Sequence, residues 1–372
     1  MLALNRSATC PVKAGNKALY QRGSAIGGRG SLTQHLPSIA YWKCERKEEP
    51  AMRVFIAGGS GAVGKRLVPL LTASGHQVIA TTRTPSKRNE LRALGAEPVL
   101  LDAWDRIAIM KAITSAHPDV IVHELTALSK MHNFKRFDEE FALTNRLRTE
   151  GIQYLLEAAQ AAGVRRFIAQ SFTGWTIARD GGPVKTEDDL LDPNPPQSMK
   201  QTLGAIRQLE SNVGSAAKLD GIVLRYGNFY GPGTSLGPGG EMVELVRQRQ
   251  FPIFGSGAGV WSFIHIDDVA QATRLAIEHA PAGIYNIVDD EPAEVSVWLP
   301  ALAQAIGAKP PYRLPAWVGR LIIGEAGMSM MTKVRGASNA KAKELLNWKP
   351  VYSTWRDGFH RVFAPEAPRK AA

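Results

Sequence analysis

Three regularly spaced glycines, Gly58, Gly61 and Gly64, form the most informative motif of the chain. They follow residues 52–57, an apolar run that is typical of a parallel strand covered on both faces. The first glycine would allow a tight turn, the second the approach of a pyrophosphate, and the third close helix packing. The amide groups of that helix would face the phosphates. We therefore predict a dinucleotide site composed of the following residues: Gly58, Gly59, Ser60, Gly61, Ala62, Val63 and Gly64.

The ends of the next two predicted strands indicate which dinucleotide would bind. A NAD-specific site offers a carboxylate to the ribose 2′-hydroxyl about twenty residues beyond the glycines. The chain instead carries Arg83 in a basic segment without an acid, and a guanidinium can hold a 2′-phosphate. Asp102 follows the next strand, where it could accept from the adenine amino group, cap a helix, or do both. We expect NADP(H) to be preferred, with NAD(H) as the alternative.

The order of apolar and amphipathic segments predicts how these residues are positioned. From residue 52 onward strands alternate with helices, which is typical of an α/β fold with a Rossmann-type doubly wound parallel sheet. The predicted strands are 52–57, 76–81, 97–101, 119–122, 166–169 and 221–225, and the main predicted helices are 88–94, 107–115, 137–161 and 199–217. We expect a NAD(P)-binding domain over 52–225. A smaller C-terminal α/β substrate lobe, rich in Gly/Pro loops and interwoven with that domain, would cover 226–360, with a tail over 361–372.

Composition argues against several classes of partner. The formal net charge is +11, but the basic residues are spread along all 372 residues, so nucleic acid is not an expected partner. Both cysteines, Cys10 and Cys44, precede the glycine motif, so the predicted domains contain no disulfide and no cysteine-based metal site. No apolar stretch approaches bilayer length, which argues against a membrane partner and favours a soluble, cytoplasmic protein.

Residues 1–50 differ from the rest because they are basic, rich in small residues and free of acids until Glu45. We expect a disordered tail or a non-native N-terminal extension, with Met52 as the natural first residue. Transit peptides are also basic and poor in acids, so the composition leaves organellar targeting by this segment open.

A series of further motifs resembles one enzyme family. Each motif is weak alone, but their order and spacing resemble the extended short-chain dehydrogenase/reductase family, the NAD-dependent epimerase/dehydratase group that includes UDP-galactose 4-epimerase. The resemblance covers about residues 52–359. Besides the glycine motif, it rests on the following segments: 122–127 (VHELTA), Asn145, 155–159 (LLEAA), 163–168 (GVRRFI), 224–232 (LRYGNFYGP), 263–270 (FIHIDDVA), 285–287 (YNI) and 347–350 (NWKP).

The resemblance implies roles for residues at the carboxyl ends of strands, where open α/β sheets bind ligands. Leu125, Thr126 and Ala127 would line the cofactor, and Tyr226 would lie near its nicotinamide end. Asn228 would face the substrate, or it would simply be a turn residue before the glycine and proline that follow. The resemblance also suggests a homodimer formed through the predicted helices 137–161 and 199–217.

The usual proton-transfer pair of the family is absent from the sequence. Family members carry a tyrosine and, four residues later, a lysine on one helix face, so that the ammonium lowers the pKa of the phenol. No tyrosine occurs between Tyr154 and Tyr226. The plausible registers of the expected segment give the following pairs: Gln197/Gln201, Met199/Leu203 and Thr202/Ile206.

A serine or threonine normally completes that site just after the fifth strand. Ser171 and Thr173 are the candidates, although the favoured register places Phe172 at the position itself. Either hydroxyl could polarise a carbonyl group or satisfy a backbone group at the strand end. Lys185 and Lys200 are the remaining candidate proton donors, and solvated lysines are the more common interpretation.

A second departure concerns the substrate. Family members that bind nucleotide diphosphates place an arginine where this chain has Trp261, so one expected phosphate anchor is lost. Arg335 could supply the other. Trp175, Phe229 and Trp261 indicate a more aromatic substrate pocket, or core packing, which is the commoner use of such residues.

These observations predict a NAD(P)-dependent oxidoreductase or epimerase-like enzyme that acts on a carbonyl or hydroxyl carbon of a small-molecule substrate. Ser171, Thr173 or an ordered water would then transfer the proton. A protein that binds NADP(H) without catalysis, as a sensor, is the alternative that the missing tyrosine and lysine favour. A nucleotide-sugar epimerase is a third interpretation, weakened by both departures.

Overall fold

A seven-stranded parallel sheet forms the centre of the structure, a computed structural model that describes residues 51–127 and 133–364. The strand order is β12-β7-β5-β4-β1-β2-β3. The strands are β1 Arg53–Ala57, β2 Gln77–Thr82, β3 Glu97–Leu100, β4 Val120–His123, β5 Arg166–Phe172, β6 Val184–Lys185, β7 Asp220–Tyr226, β8 Asn228–Tyr230, β9 Ile253–Phe254, β10 Val260–Trp261, β11 Phe263–His265, β12 Gly283–Ile287, β13 Ala293–Glu294, β14 Arg313–Leu314 and β15 Gly336–Ala337. The predicted doubly wound α/β fold is confirmed.

Helices cover both faces of this sheet. They are α1 Ala62–Ala73, α2 Arg88–Ala93, α3 Arg106–Ala116, α4 Phe137–Glu140, α5 Ala142–Arg146, α6 Ile152–Ala161, α7 Lys200–Gly214, α8 Glu241–Arg247, α9 Ile266–His279, α10 Val295–Ala305, α11 Ala316–Ile322, α12 Gly324–Thr332, α13 Ala340–Leu345 and α14 Trp355–Phe363. Side chains alternate along β1, so Val54 and Ile56 join the core formed with α1 and α9, whereas Phe55 joins the core formed with α3 and α6.

The C-terminal part of the chain contributes to the sheet and also forms a core of its own. β12 pairs with β7 in parallel and becomes the edge strand. Trp298, Trp355 and Phe263 are fully buried in a separate aromatic core, with ring centroids 5.3 Å apart for Phe263 and Trp298. This part is therefore interwoven with the sheet.

Predictions for residues 1–50 and 365–372 lie outside the described residues, and the predicted tail from 361 onward begins inside α14.

Two predicted elements differ from the structure in ways that matter for the site. The fifth strand was expected to end at residue 169, but β5 continues to Phe172 because it pairs with β7 along its whole length. The expected helix over 137–161 is interrupted after α4 and contains a π-helical turn at Leu147–Gly151. The Thr149 hydroxyl donates to the carbonyl groups of Asn145 and Arg146 just before this turn, which competes with the regular helix bonds.

Candidate functional site

The turn between β1 and α1 has backbone positions that only glycine can occupy without strain. Gly58 has a φ of +97°, and a Cβ there would lie 2.7 Å from the backbone oxygen of Glu124. A Cβ on Gly64 would lie 2.3 Å from the carbonyl oxygen of Gly59, so a side chain there would push α1 off the turn. A Cβ on Gly61 would meet only one atom, the Gly58 oxygen at 3.2 Å. The side of the turn at Gly61 is therefore open.

The N-terminus of α1 has the features of an anion-binding site. Gly61 is the N-cap, no side chain caps the helix, and the first turn contains no acidic residue, so several amide groups are free. Ala62 is exposed at this end, and Val63 packs into the core. Ser60 donates through Oγ to the Thr82 hydroxyl over 3.1 Å, which ties the turn to the end of β2.

The ends of β2 and β3 carry the two residues that were predicted to bind the adenosine part. Arg83 is exposed and forms no ion pair with the described residues. Asp102 is exposed as well, and its Oδ1 accepts from the Trp104 amide over 3.1 Å. The N-cap of α3 is Asp105, whose side chain accepts from the Ala108 amide over 2.9 Å. The interpretation of Asp102 as a helix cap is therefore wrong, and its carboxylate remains accessible.

The segment after β4 lies beside the glycine turn. Leu125 is half-buried against the core, Thr126 is exposed, and the Ala127 amide donates to the Thr144 hydroxyl over 3.1 Å. Together with the open glycine turn, the uncapped helix start and the free Arg83, these residues fit a dinucleotide that lies across the carboxyl ends of β1, β2 and β4. Such a cofactor supplies or accepts a hydride at its nicotinamide ring.

A buried carboxyl group below the glycine turn was not predicted from the sequence. Glu124 is 5% exposed, and its Oε1 accepts from the Tyr226 hydroxyl over 2.9 Å. The Tyr226 oxygen also lies 2.8 Å from the Thr273 hydroxyl oxygen, and Thr273 donates to the Val269 carbonyl over 2.7 Å. Burial raises the pKa of Glu124 to about 8, and the Tyr226 hydrogen bond opposes that increase. Tyr226 is thus held beneath the turn by its hydroxyl.

The two candidate hydroxyl groups of β5 have different environments. Ser171 is buried, and its Oγ donates to Glu210 over 2.7 Å. Glu210 also accepts from both Nε and Nη2 of Arg225, at 2.8 and 2.7 Å. Ser171 is therefore held in a buried ionic network, because the extended strand places it on the same sheet face as Ala169. Thr173 is also buried, but its hydroxyl has no hydrogen-bond partner within the described residues.

Two further buried polar residues lie beside this face of the sheet, His123 in β4 and Arg148 in the π-helical turn. Both ring nitrogens of His123 lack partners within the described residues, and burial followed by the nearby Arg148 lowers its pKa to about 4. Burial lowers the pKa of Arg148 to about 10, while Glu210 raises it. Arg148 therefore remains charged at neutral pH, and His123 is neutral.

The three registers considered for the usual tyrosine and lysine lie in the turn before α7 and in its first half. Gln197 and Gln201 are exposed, whereas Met199, Leu203 and Ile206 are buried apolar side chains.

Thr202 is fully buried, and two hydrogen bonds occupy its hydroxyl group. Its hydroxyl donates to Asp138 over 2.7 Å and accepts from Asn145 Nδ2 over 2.9 Å. Lys200 is exposed, and Lys185 forms an ion pair with Asp189 over 3.0 Å. None of the three registers therefore places an acid-base pair on α7.

The predicted substrate residues lie on the lobe side, and most of their polar atoms are used. Asn228 Nδ2 donates to the Ser262 carbonyl over 3.0 Å, which holds β8 beside β11. Trp261 donates through Nε1 to the Met330 carbonyl over 2.9 Å and packs 5.0 Å from Trp298. Core packing thus accounts for Trp261.

An aromatic layer lies between the sheet and α12. Phe137 stacks on Phe141 at 4.5 Å and meets Trp175 edge-on at 5.1 Å, and Phe172 lies 6.1 Å from Trp175. Phe141, Phe172 and Trp175 are only half-buried. These four residues, called the aromatic layer below, give the exit of β5 an apolar surface. Of the three residues expected to form an aromatic substrate pocket, this layer contains Trp175, and the pocket itself stays a prediction.

The described residues contain neither a membrane-spanning helix nor a cluster of metal ligands. No helix in 51–127 or 133–364 is both long and apolar enough to cross a bilayer. Within the same ranges no three His, Cys, Asp or Glu side chains cluster as metal ligands would.

Comparison with known proteins identifies a matching family and similar chains. The model of the NAD dependent epimerase/dehydratase family matches residues 54–288. A 3-diazoavenalumate denitrifying reductase of a Streptomyces species is 42% identical over 311 residues, which cover 83% of this chain and 100% of the relative. A farnesyl-dihydroquinoline-oxide ketoreductase of Stigmatella aurantiaca is 28% identical, over 69% of this chain and 74% of its own.

Solved structures share the fold. A UDP-glucose 4-epimerase of Thermotoga maritima, solved with UDP-glucose, has a TM-score of 0.65 at 22% identity and covers 84% of this chain and 97% of its own. A UDP-glucose 4-epimerase of Thermus thermophilus in complex with NAD has a TM-score of 0.64 at 24% identity, with coverages of 84% and 98%. At these identities the likeness concerns the fold alone.

Proposed function

Because the chain belongs to the NAD-dependent epimerase/dehydratase family, we propose that it is an NADPH-dependent reductase whose substrate needs a hydride but no proton from the protein. The observation that carries this proposal is the start of α7, where Thr202 is locked by Asp138 and Asn145 instead of a tyrosine that could act as an acid. Ser171 is likewise engaged with Glu210. A site that binds its cofactor at the glycine turn would then work without the usual acid.

A diazo group meets this requirement. When a hydride joins an aryl diazonium ion, the arene forms and dinitrogen leaves with the electron pair of the carbon–nitrogen bond. One hydride is consumed and no proton is needed, in contrast to a carbonyl group, whose oxygen must be protonated as it becomes a hydroxyl. The full-length similarity to a denitrifying reductase at 42% identity supports the same class of substrate for this chain.

The roles of the protein side chains follow from this chemistry. The glycine turn and the first amides of α1 would bind the pyrophosphate, and Arg83 would bind the 2′-phosphate of NADPH. The aromatic layer would hold the ring of the substrate and exclude water from the diazonium carbon. Thr173, whose hydroxyl is buried and free of partners among the described residues, would orient the reacting group without giving up its proton.

The test uses the full chain with 4-hydroxybenzenediazonium and NADPH that carries deuterium on either the pro-R or the pro-S face of the nicotinamide. We expect dinitrogen and phenol in equal amounts, with deuterium delivered from one face only. A reaction in free solution takes the label from both faces, so the face selectivity identifies the protein as the catalyst.

A second measurement distinguishes the proposal from its alternatives. The hydride step should proceed at the same rate in H₂O and D₂O, since no proton moves in it. Tight NADPH binding without face-selective transfer would instead favour the sensor, and a large solvent isotope effect would point to a carbonyl substrate and a hidden acid. Either result would refute the proposed chemistry.

A further inference from the structure

Helix α11 of the C-terminal lobe turns an apolar face to the solvent. Trp317, Leu321 and Ile322 are 63%, 67% and 58% exposed, and Trp317 and Leu321 lie one turn apart on the same side of the helix. The opposite side is packed closely, because Gly319 is buried and a Cβ there would lie 2.3 Å from the sulfur of Met328 in α12. This packing fixes α11, so its exposed apolar side chains cannot turn inward.

The number of exposed apolar groups in this short segment is unusual. Single exposed apolar side chains are ordinary, and Ile107, which is 82% exposed, is such a case on α3. Between residues 312 and 322, in contrast, an indole, a phenol and two aliphatic side chains are all exposed. The phenol is Tyr312, and the guanidinium carbon of Arg249 lies 3.5 Å from the centre of its ring. Aromatic, aliphatic and cationic groups thus occur together on this part of the lobe.

The charged residues in and just before α11 all have the same sign. Lys309, Arg313 and Arg320 are exposed and form no ion pair with the described residues, and residues 295–324 contain no Asp or Glu. Not every cation of the lobe is free in this way, since the half-buried Arg335 donates through Nε to a backbone carbonyl over 3.0 Å. The apolar face of α11 is therefore bordered by cations that have no counterion in the chain around them.

We propose that this face of α11 docks on an anionic lipid surface, with Trp317 and Leu321 inserted at the level of the headgroups and Arg313 and Arg320 against the lipid phosphates. Indole and aliphatic groups bordered by arginines match the boundary between acyl chains and anionic headgroups. A protein partner would have to supply a carboxylate opposite each cation, whereas an anionic bilayer offers phosphates at every position.

The proposed contact is peripheral and does not depend on the proposed reduction. With seven residues, α11 is too short to cross the hydrocarbon core of a bilayer. The sequence argument against a membrane partner excluded a spanning segment, and it does not apply to a helix that lies on the surface.

The experiment measures co-sedimentation of the full chain with lipid vesicles. We expect binding to vesicles of equal parts phosphatidylglycerol and phosphatidylcholine, and binding about tenfold weaker or less to phosphatidylcholine alone. Trp317→Gln combined with Leu321→Gln should weaken binding to the anionic vesicles by about tenfold or more, because two apolar groups no longer enter the bilayer. Arg313→Gln combined with Arg320→Gln should weaken it by a similar factor, and added salt should act in the same direction.

A matched pair of substitutions on α3 separates this face from a general change of surface polarity. Ile107→Gln combined with Lys111→Gln removes an exposed apolar group and an exposed cation, and it should keep full binding. Equal urea midpoints show that each variant is folded.

The inference is overturned if the wild type does not bind the anionic vesicles, binds phosphatidylcholine alone equally well, or keeps its binding after both Trp317→Gln and Leu321→Gln. A dimer that this double variant abolishes, in a protein that binds no vesicles, would also overturn it and would assign the face to a contact between two copies of the chain.

Discussion

Replacing Glu124 by glutamine should change how the stability of the protein depends on pH. Glu124 lies below the glycine turn, and burial raises its pKa from 4.5 to about 8. The folded state therefore keeps a proton that the unfolded chain has already released. Between these two values unfolding releases this proton, so rising pH destabilises the folded state. Glutamine preserves the size of the side chain and can still accept from Tyr226, but it does not ionise.

The expected change in the free energy of unfolding follows from the release of one proton. Between pH 4.5 and about 8, each increase of one pH unit lowers the free energy of unfolding by about 1.4 kcal/mol. His123 has the opposite effect, because burial and Arg148 lower its pKa from 6.5 to about 4, and its contribution is lost as the pH falls through that range. Every other titrating group is present in both proteins, so from pH 6.5 to 8 the wild type should lose about 2 kcal/mol more than Glu124→Gln.

Urea unfolding of the full chain at several pH values measures this difference, since all other titrating groups are common to both proteins. Parallel curves for the wild type and Glu124→Gln between pH 6.5 and 8 would refute the assignment of a neutral Glu124. Tyr226→Phe provides a second check. Loss of the hydroxyl donor removes the interaction that lowers the pKa of Glu124. The pH range over which the free energy of unfolding falls should therefore extend to higher pH.

Three further substitutions test the cofactor turn and the start of α7. Arg83→Glu should shift the preference from NADPH toward NADH by about tenfold or more, which parallel titrations of both cofactors measure; equal relative affinities would contradict the 2′-phosphate role. Gly64→Ala places a methyl group 2.3 Å from the Gly59 oxygen, so we expect about 1–3 kcal/mol lower stability and weaker NADPH binding by calorimetry. Thr202→Val leaves Asn145 Nδ2 unpaired and should cost about 1–3 kcal/mol in urea, yet leave the hydride-transfer rate unchanged; a large loss of rate would make Thr202 a proton donor.

The fold could be predicted from the sequence because its signals are local. A β-branched apolar run followed by glycines specifies a strand and a turn within a dozen residues, and the φ of +97° at Gly58 is the conformation that this motif requires. The end of β5 could not be predicted in the same way. Its last three residues are extended because β7 pairs with them, and β7 lies some fifty residues later in the sequence. Ser171 consequently lies within the strand and points into a buried network.

The sequence did not reveal which ionisable residues are buried, and there is a physical reason for this. Glu124 was part of a recognised segment, but its pKa depends on burial and on Tyr226, which is 102 residues away. The same holds for Glu210, whose partners come from β5 and β7. A sequence shows which residues are chargeable, whereas their electrostatic environment arises only when distant strands meet.

The distribution of used and unused polar groups gives the strongest argument about chemistry. An enzyme that must protonate its substrate keeps an acid free at the reacting atom, with a pKa tuned to that task. Here the hydroxyl groups of Ser171 and Thr202 are both committed to carboxylates, Glu210 and Asp138, at 2.7 Å. The start of α1 and Arg83, in contrast, are free to bind a ligand. If these groups bind the dinucleotide, a site that uses the Ser171 and Thr202 hydroxyl groups for structure and leaves that of Thr173 without a partner among the described residues suits hydride transfer onto a group that leaves unprotonated.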